Sequence, residues 1–364
     1  MTPIDYQAER PYASPHAWGG GGVARTMFLV QAALVPATLF GFWLYGWPAF
    51  FLWIITLSSA LFFEFVCLRL MGIDAPGRRL RDGSALLTGW LLAMTLPPWA
   101  PWWIGVLGAF IAIVIGKQVF GGLGQNVFNP AMVARVALLV SFPLPLTAWV
   151  TPLPLAAAPA PGLLESVAIT LDQKPPPDAM TSASLLGHAK TELARGADLP
   201  QAFATVRAPR VSWLGARPGS FGESSVPLLF LGGLFLLAVG AIRWHTPAGV
   251  LAGALVPAFV AHAIAPGQYL DAQTHLLSGA LLLGAFFIAT DYVTSPATGP
   301  GQFVFGLGVG LMTWVIRSLG GYPEGVAFAI LFMNALTPLI DRYLKPRIFG
   351  RTWSGRPVES GKGS

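Results

Sequence analysis

Charge is scarce in this sequence: only 10% of its 364 residues are Asp, Glu, Lys or Arg. A soluble domain of this length carries roughly 25%, so an ordinary water-soluble fold is excluded. Thiols are nearly missing as well. The single cysteine, Cys67, excludes an internal disulfide and any iron–sulfur cluster or structural zinc site built from this chain's thiolates alone. It lies within an apolar run and reads as a small buried hydrophobe. No metal site is expected. The Walker spacing is absent and no soluble strand precedes the glycine-rich run at 116–130, so a nucleotide-binding loop is excluded. The net charge of +6 does not point to nucleic acid, because the basic residues are dispersed or stand beside hydrophobic runs.

What is abundant is apolar. Such residues make up 54% of the chain, with 13 Trp and 24 Phe, and the mean hydropathy is +0.62. Aromatic rings at this level suit lipid–water boundaries. The 42 Gly and 32 Pro are tolerated in membrane helices where neighbouring helices or a ligand satisfy the freed backbone groups. A spanning helix needs roughly 20 mostly apolar residues. Such runs lie near 28–46, 49–71, 83–97, 101–117 and 127–143, and again near 226–243, 247–264, 275–291, 301–317 and 324–341. The 83–97 run is short and reads as a broken or tilted helix. Residues 1–27 are polar and the first run is long enough to span, so it reads as an uncleaved first helix rather than a signal peptide.

The expected fold is therefore an all-α integral membrane protein of about ten transmembrane helices. Arg10 and Arg25 precede the first span, Arg78, Arg79 and Arg81 follow the second, Arg243 follows the sixth, and Arg342, Lys345, Arg347 and Arg351 follow the tenth. All fall on one side, which the positive-inside rule makes the cytoplasm; Arg317 is the exception. The resulting organisation is a cytoplasmic N-terminal segment 1–27, a first transmembrane half 28–143, a periplasmic loop 144–225, a second half 226–341 and a cytoplasmic tail 342–364. The loop's start, rich in Pro and Ala over 143–162, reads as extended. The part from Leu163 to Leu199 could fold against the membrane face.

The halves resemble each other. Ser84–Gly89 matches Ser278–Gly284, Thr95 and Pro97 match Thr290 and Pro296, and Asn129-Pro130 matches Asn334 and Pro338. An odd number of spans per half inverts the second copy, giving a five-plus-five inverted repeat. Such repeats, with Gly/Pro-interrupted helices at matching places, frame sites at their interface.

Three sets of residues could carry chemistry. The run from Gly116 to Pro130 combines Lys117 and the amides Gln118, Gln125, Asn126 and Asn129 with Gly121, Gly122 and Gly124. It suits a planar heterocycle such as a flavin, and equally a structural turn. The outer stretch Asp178-Ala179-Met180-Thr181-Ser182-Ala183-Ser184-Leu185-Leu186 is a hydroxyl cluster, by default a turn or helix cap. His188 is four residues from Ser184, but no triad forms around it. The third set is the charges inside spans. Glu64 could pair with Arg69 or face a cavity, and Asp291 ends the eighth span; intramembrane carboxylates often mark ion paths. His262 reads as a hydrogen-bonded interior residue.

Asp82–Gly89, the downstream Leu96-Pro97-Pro98 and the run Gly121–Ala131 together resemble the D subunit of Rnf complexes and its relative, the B subunit of the sodium-translocating NADH:quinone oxidoreductase. The resemblance covers nearly the whole chain. It implies an electron-transfer subunit of a bacterial inner-membrane complex that couples ferredoxin/NAD electron flow to Na⁺ or H⁺ movement. As a subunit, the chain would be part of an enzyme, the ion-translocating oxidoreductase complex (translocase). The resemblance also implies FMN joined through its phosphate to a hydroxyl of the outer loop. The family's motif aligns Asp178, Thr181, Ser182, Ala183, Ser184 and Leu186, with Ser182 in place of Gly and Ser184 in place of the acceptor Thr. Ser184 is then the expected acceptor and Thr181 the runner-up. A second, noncovalent, riboflavin-like flavin would suit Lys117, Gly121, Gly122, Gly124, Asn126 and Asn129, and an ion path would suit Glu64 and Asp291. Implied partners are other membrane and peripheral Rnf subunits, a flavin transferase during maturation, and the lipid bilayer. The rival reading is a channel or secondary transporter without redox function, which the spans and repeat fit equally.

Overall fold

The computed structural model describes residues 22–73, 76–157, 160–172, 181–182, 184–196, 198–204 and 218–345. Eight apolar helices build its body: α1 Val23–Leu70, α2 Ser84–Thr95, α3 Trp102–Phe110, α4 Pro130–Ser141, α5 Val226–Ala238, α6 His245–Ile264, α7 Gly299–Ser318 and α8 Val326–Tyr343. Among the described residues, five stretches are long and apolar enough to cross a membrane: α1, α6, α7, α8 and the run Trp102–Phe120 that contains α3. With the shorter apolar helices α2, α4 and α5, they make this a multi-pass membrane protein. Among the described residues the only strand pairing is a two-residue ladder, Trp149–Val150 against Thr181–Ser182.

The 48-residue α1 is two arms, not one rod. Gly46 breaks it with φ 73° and ψ −162°, a left-handed backbone open to glycine and costly for other residues. The chain folds back there. In a straight helix Gln31 and Glu64 would stand about 50 Å apart. Here Gln31 Nε2 donates to the carbonyl of Gly83 at 2.8 Å, while Lys117 Nζ bonds both Glu64 at 2.7 Å and Ser84 Oγ at 2.8 Å. The two ends of α1 thus meet over adjacent residues. Halfway along, Trp90 Nε1 donates to Thr38 Oγ1 at 2.9 Å and its ring packs edge-on to Trp53 at 5.0 Å. The arms correspond to the runs expected at 28–46 and 49–71.

α2 has 12 residues, about 18 Å of helix, a short helix, as its sequence implied. The run expected as one helix over 275–291 is broken. It forms Ala272–Leu277, then Leu281–Leu283, then a π-helical turn Gly284–Ile288. The break lies at Gly279 (φ 68°), where a Cβ would collide with the Glu324 carboxylate and the Arg317 guanidinium. α3 likewise continues into a π turn, Ile111–Ile115. π turns loosen the helical ladder and recur at functional sites.

α6 and α7 touch backbone to backbone. Gly249 and Gly253 on α6 face Gly306 and Gly310 on α7. A Cβ on Gly306 would strike the Thr246 carbonyl, and one on Gly310 the Val250 carbonyl. Both helices carry a small-xxx-small pattern, the means by which membrane helices gain close packing without a hydrophobic drive. α5 docks on the first arm of α1 the same way, with Gly232 against the Ala33 carbonyl.

Residues 143–162 are not simply extended, because Pro143–Thr147 form a short helix before the ladder strand. The Leu155 N–H donates to the Trp43 carbonyl at 2.8 Å and fixes this stretch to α1. Helices Leu163–Asp172, Leu185–Ala194 and Leu199–Ala204 follow. The expectation that this part folds against the membrane body holds. Lys190 Nζ donates to the carbonyls of Ile316 (3.1 Å) and Tyr322 (2.8 Å), and the Leu199 N–H to Gly267 (2.9 Å). Burial lowers the Lys190 pKa.

Candidate functional site

A cavity opens between the two halves of the chain. The first arm of α1, α2 and the 117–131 segment form one side; Ala241, Ile242, Phe287 and Thr290–Val293 form the other. Most of the lining is apolar. The polar groups are few: Ser84, Thr88, Lys117, Asn126, Asn129 and Asp291 among them.

Lys117 is 2% exposed. It follows the π turn, in a non-helical conformation (φ −126°) that ends α3. Its ammonium is held by Glu64 (2.7 Å) and Ser84 Oγ (2.8 Å), and Ser84 Oγ donates in turn to Asp82 Oδ1 at 2.6 Å. Glu64 therefore pairs with Lys117 and not with Arg69, which is exposed and lies over the Phe65 ring at 5.4 Å. Glu64 keeps one buried oxygen, Oε2, without a partner among the described residues.

Asn129 ties the halves together. Its side chain caps α4 by accepting from the Met132 N–H (3.3 Å), with Pro130 at the first helical position, the arrangement that Asn–Pro favours. Its own N–H donates to Asn334 Oδ1 at 3.1 Å and its Nδ2 reaches Asp291 at 3.4 Å. Asp291 also accepts from the Val293 N–H (3.1 Å) and Thr294 Oγ1 (3.2 Å). Asn334 Nδ2 donates to the Thr294 carbonyl at 3.1 Å. Asn129 and Asn334, matched as counterparts in the sequence repeat, are hydrogen-bonded to each other.

Of the six residues expected around a noncovalent flavin, Lys117, Asn126 and Asn129 line the cavity, and Asp291 joins them from the other half. Gly121, Gly122 and Gly124 do not line it. They form the left-handed turn (φ 109°, 93° and 91°) that carries the chain from Lys117 to Asn126. Cys67 is half-buried and free, and His262 Nδ1 bonds the Tyr269 carbonyl at 2.7 Å.

In the loop, Ser184 is the N-cap of the ten-residue helix Leu185–Ala194, its Oγ accepting from the Gly187 N–H at 3.1 Å. It is 5% exposed, and Leu186 is buried behind it. Thr181 and Ser182 form the ladder strand. Asp178 and Ala183 lie outside the described residues. The His188 ring engages the Ala202 carbonyl at 3.0 Å, so it is not directed to Ser184 as a hydrolase base.

The structure also buries Arg135 and Glu223, which sequence reading passed over, and Arg317, which it noted; each is 6% exposed. Arg317, the exception to the basic-side pattern, is no surface charge. Its guanidinium donates to the carbonyls of His275 (2.9 Å) and Ser278 (3.0 Å) and contacts Glu324 at 3.4 Å. An arginine inside an apolar run such as 130–141 was itself a signal.

Residues 11–350 match the model of the NQR2, RnfD, RnfE family. The chain is 50% identical over 352 residues to a Halorhodospira halophila protein named as the D subunit of an ion-translocating oxidoreductase complex, covering 96% of this chain and 97% of that one. It is 52% identical over 340 residues to the protein of the same name from Stutzerimonas stutzeri (93% and 96% covered) and 48% identical over 307 residues to that from Rhodobacter capsulatus (84% and 85%).

Proposed function

The chain belongs to the NQR2, RnfD, RnfE family and is a subunit of an ion-translocating oxidoreductase complex; from that premise we propose that it carries flavin electrons through the complex and lines part of its ion path. The observation that carries the proposal is Ser184. Its hydroxyl stands at the positive end of a ten-residue helix, where a phosphate's charge is favoured. FMN esterified there through its phosphate keeps its ring free, so packing and hydrogen bonds alone tune it. When bound, the flavin supplies one- and two-electron exchange between unlike carriers. Ser184 is 5% exposed, so attachment by a transferase precedes packing of this turn.

The same proposal puts a second, riboflavin-like flavin at the cavity between the halves. Apolar walls suit the ring, Asn126 supplies amide groups, and Lys117 a fixed positive charge. The glycine turn at Gly121, Gly122 and Gly124 lets the chain double back beside it. Asp291 in the same cavity, and Glu64 behind Lys117, would form the ion path on this side.

The two arms of α1, then α2, α3 and α4, are read as five crossings. α5, α6, the broken segment 272–288, α7 and α8 are read as five more. The second set is an inverted copy, an arrangement the Asn129–Asn334 pairing supports. Basic residues place the N-terminus in the cytoplasm of a bacterial inner membrane, and the 144–225 loop in the periplasm.

Denatured protein co-expressed with its flavin transferase should fluoresce as flavin on a gel, and Ser184→Ala should abolish the signal. Persistence in Ser184→Ala with loss in Thr181→Ala moves the acceptor to Thr181. Absence of the signal from the unaltered chain refutes the covalent flavin.

A further inference from the structure

A cleft adjoins the cavity between the halves. It encloses about 270 Å³, room for several waters, and its walls are mostly polar. Arg243, Thr246, Thr290, Tyr292, Ser295 and Gln302 line it, and among the described residues no carboxylate does. Asp291 faces the inner cavity instead, and Asp341 is taken up by the Ala297 N–H at 3.1 Å. The two spaces meet along Ala241, Ile242, Thr290 and Tyr292, which line both. A cavity with apolar walls is thus joined to a cleft of hydroxyls and an amide.

The polar groups of the cleft are held in place by the fold. Thr246, in the first turn of α6, is 3% exposed, and its carbonyl packs on Gly306 of α7. Ser295 is 9% exposed, and its N–H donates to the Asp291 carbonyl at 3.0 Å. Thr290 Oγ1 donates to the Phe286 carbonyl at 2.7 Å, which leaves its oxygen able to accept. Gln302 stands in the first turn of α7, its N–H on the Thr298 carbonyl at 2.8 Å. Its Oε1 is buried and has no hydrogen-bond partner among the described residues. A buried acceptor left unpaired is costly, so this oxygen calls for a donor in the cleft. A hard cation would want carboxylates there. Neutral hydroxyl and amide groups, each able to donate and accept, instead match a chain of hydroxyls.

We propose that this cleft is the tail subsite of the flavin held between the halves. It takes a polyhydroxyl side chain (a ribityl group or its like), with Gln302 Oε1 accepting from one of the tail's hydroxyls and Thr246 and Ser295 pairing with others, while the ring stays in the apolar cavity. This rests on the second-flavin reading above and names what makes that site selective. A ring without its tail leaves Gln302 Oε1 unpaired, so the tail carries discrimination that apolar walls alone do not supply.

The test is equilibrium dialysis of the whole complex, stripped of noncovalent flavin, against riboflavin and against lumiflavin, which has the same ring with a methyl group in place of the tail. The native complex should bind riboflavin at least about tenfold more tightly. Gln302→Leu and the isosteric Thr246→Val should each weaken riboflavin about fivefold or more and leave lumiflavin unchanged; lumiflavin binding reports that the ring site is intact in each variant. Equal affinity of the native complex for the two compounds overturns the tail subsite while the cavity keeps its flavin. Equal losses for both compounds in both variants overturn it too, because the residues then serve only the fold. Displacement of riboflavin by millimolar inorganic phosphate assigns the cleft to an anion at Arg243 and overturns it as well. If neither compound binds, the second-flavin reading itself falls and takes the subsite with it.

Discussion

The Lys117–Glu64 pair decides whether Lys117 serves the fold, the cofactor or both. The two charges are 2.7 Å apart with side chains 2% and 6% exposed. At an effective dielectric of about 20 they attract by roughly 6 kcal/mol, offset by the cost of taking both from water. Lys117→Met leaves Glu64 buried without its partner, and one of its oxygens already has none. The expected loss is about 3–5 kcal/mol. Glu64→Gln leaves the ammonium with Ser84 alone and should cost a similar amount. The double variant removes both charges and should lie within about 2 kcal/mol of native, since a neutral pair in a packed interior is often no worse than an ionic one. Thermal unfolding of the four proteins at one scan rate gives the cycle, with several degrees between single and double variants. Losses that simply add would refute the coupling. Native stability in Lys117→Met with loss of extractable riboflavin would show that Lys117 answers only to the cofactor.

The helix contacts and the loop anchor make further predictions. Gly310→Leu pushes a side chain into the Val250 carbonyl and should cost at least about 1–3 kcal/mol, with Gly310→Ala intermediate, read as loss of the monodisperse complex on size exclusion. Asn334→Ala strips the Asn129 N–H of its acceptor, a loss of about 1–3 kcal/mol for a buried donor, and should release riboflavin at lower denaturant; unchanged retention would detach this bridge from the cavity. Lys190→Met removes both bonds to the Ile316 and Tyr322 carbonyls. Amide exchange should then quicken across 185–194 while α6 and α7 keep their protection.

The parts of the fold that sequence revealed are those governed by local pattern. Apolar run length marked the apolar helices, and Gly-Asn-Pro punctuation located the turn between α3 and α4. The paired Asn–Pro signals even matched Asn129 with Asn334, which hydrogen-bond across 205 positions. What stayed hidden depends on contacts between distant segments. Nothing in the sequence near Glu64 names Lys117, 53 positions on; Arg69 is nearer along the chain, but on a helix its side chain points to another face. The break at Ser278–Gly279 was invisible for the same reason: it exists because Arg317 and Glu324 occupy the space a continuous helix would fill. Gly249, Gly253, Gly306 and Gly310 were legible as a pattern and passed over, because glycine in an apolar run looks like composition until a second helix lies against it.

The placement of Lys190 bears on how one chain could serve both electrons and ions. The helix that begins at Ser184 is bonded through Lys190 to the Ile316 carbonyl, the residue before Arg317. Arg317 holds Glu324, which lines a small pocket together with Arg135 and Glu223. A charge change at the head of that helix therefore acts on a chain of bonded groups ending at a carboxylate. Proximity alone does not make coupling; the same groups must be biased by both events. Lys190→Met separates the two. If the chain transmits, the variant should carry electrons at the native rate while its transported-ion-to-electron ratio falls. If the ratio is unchanged with the helix loosened, redox and transport communicate by another route.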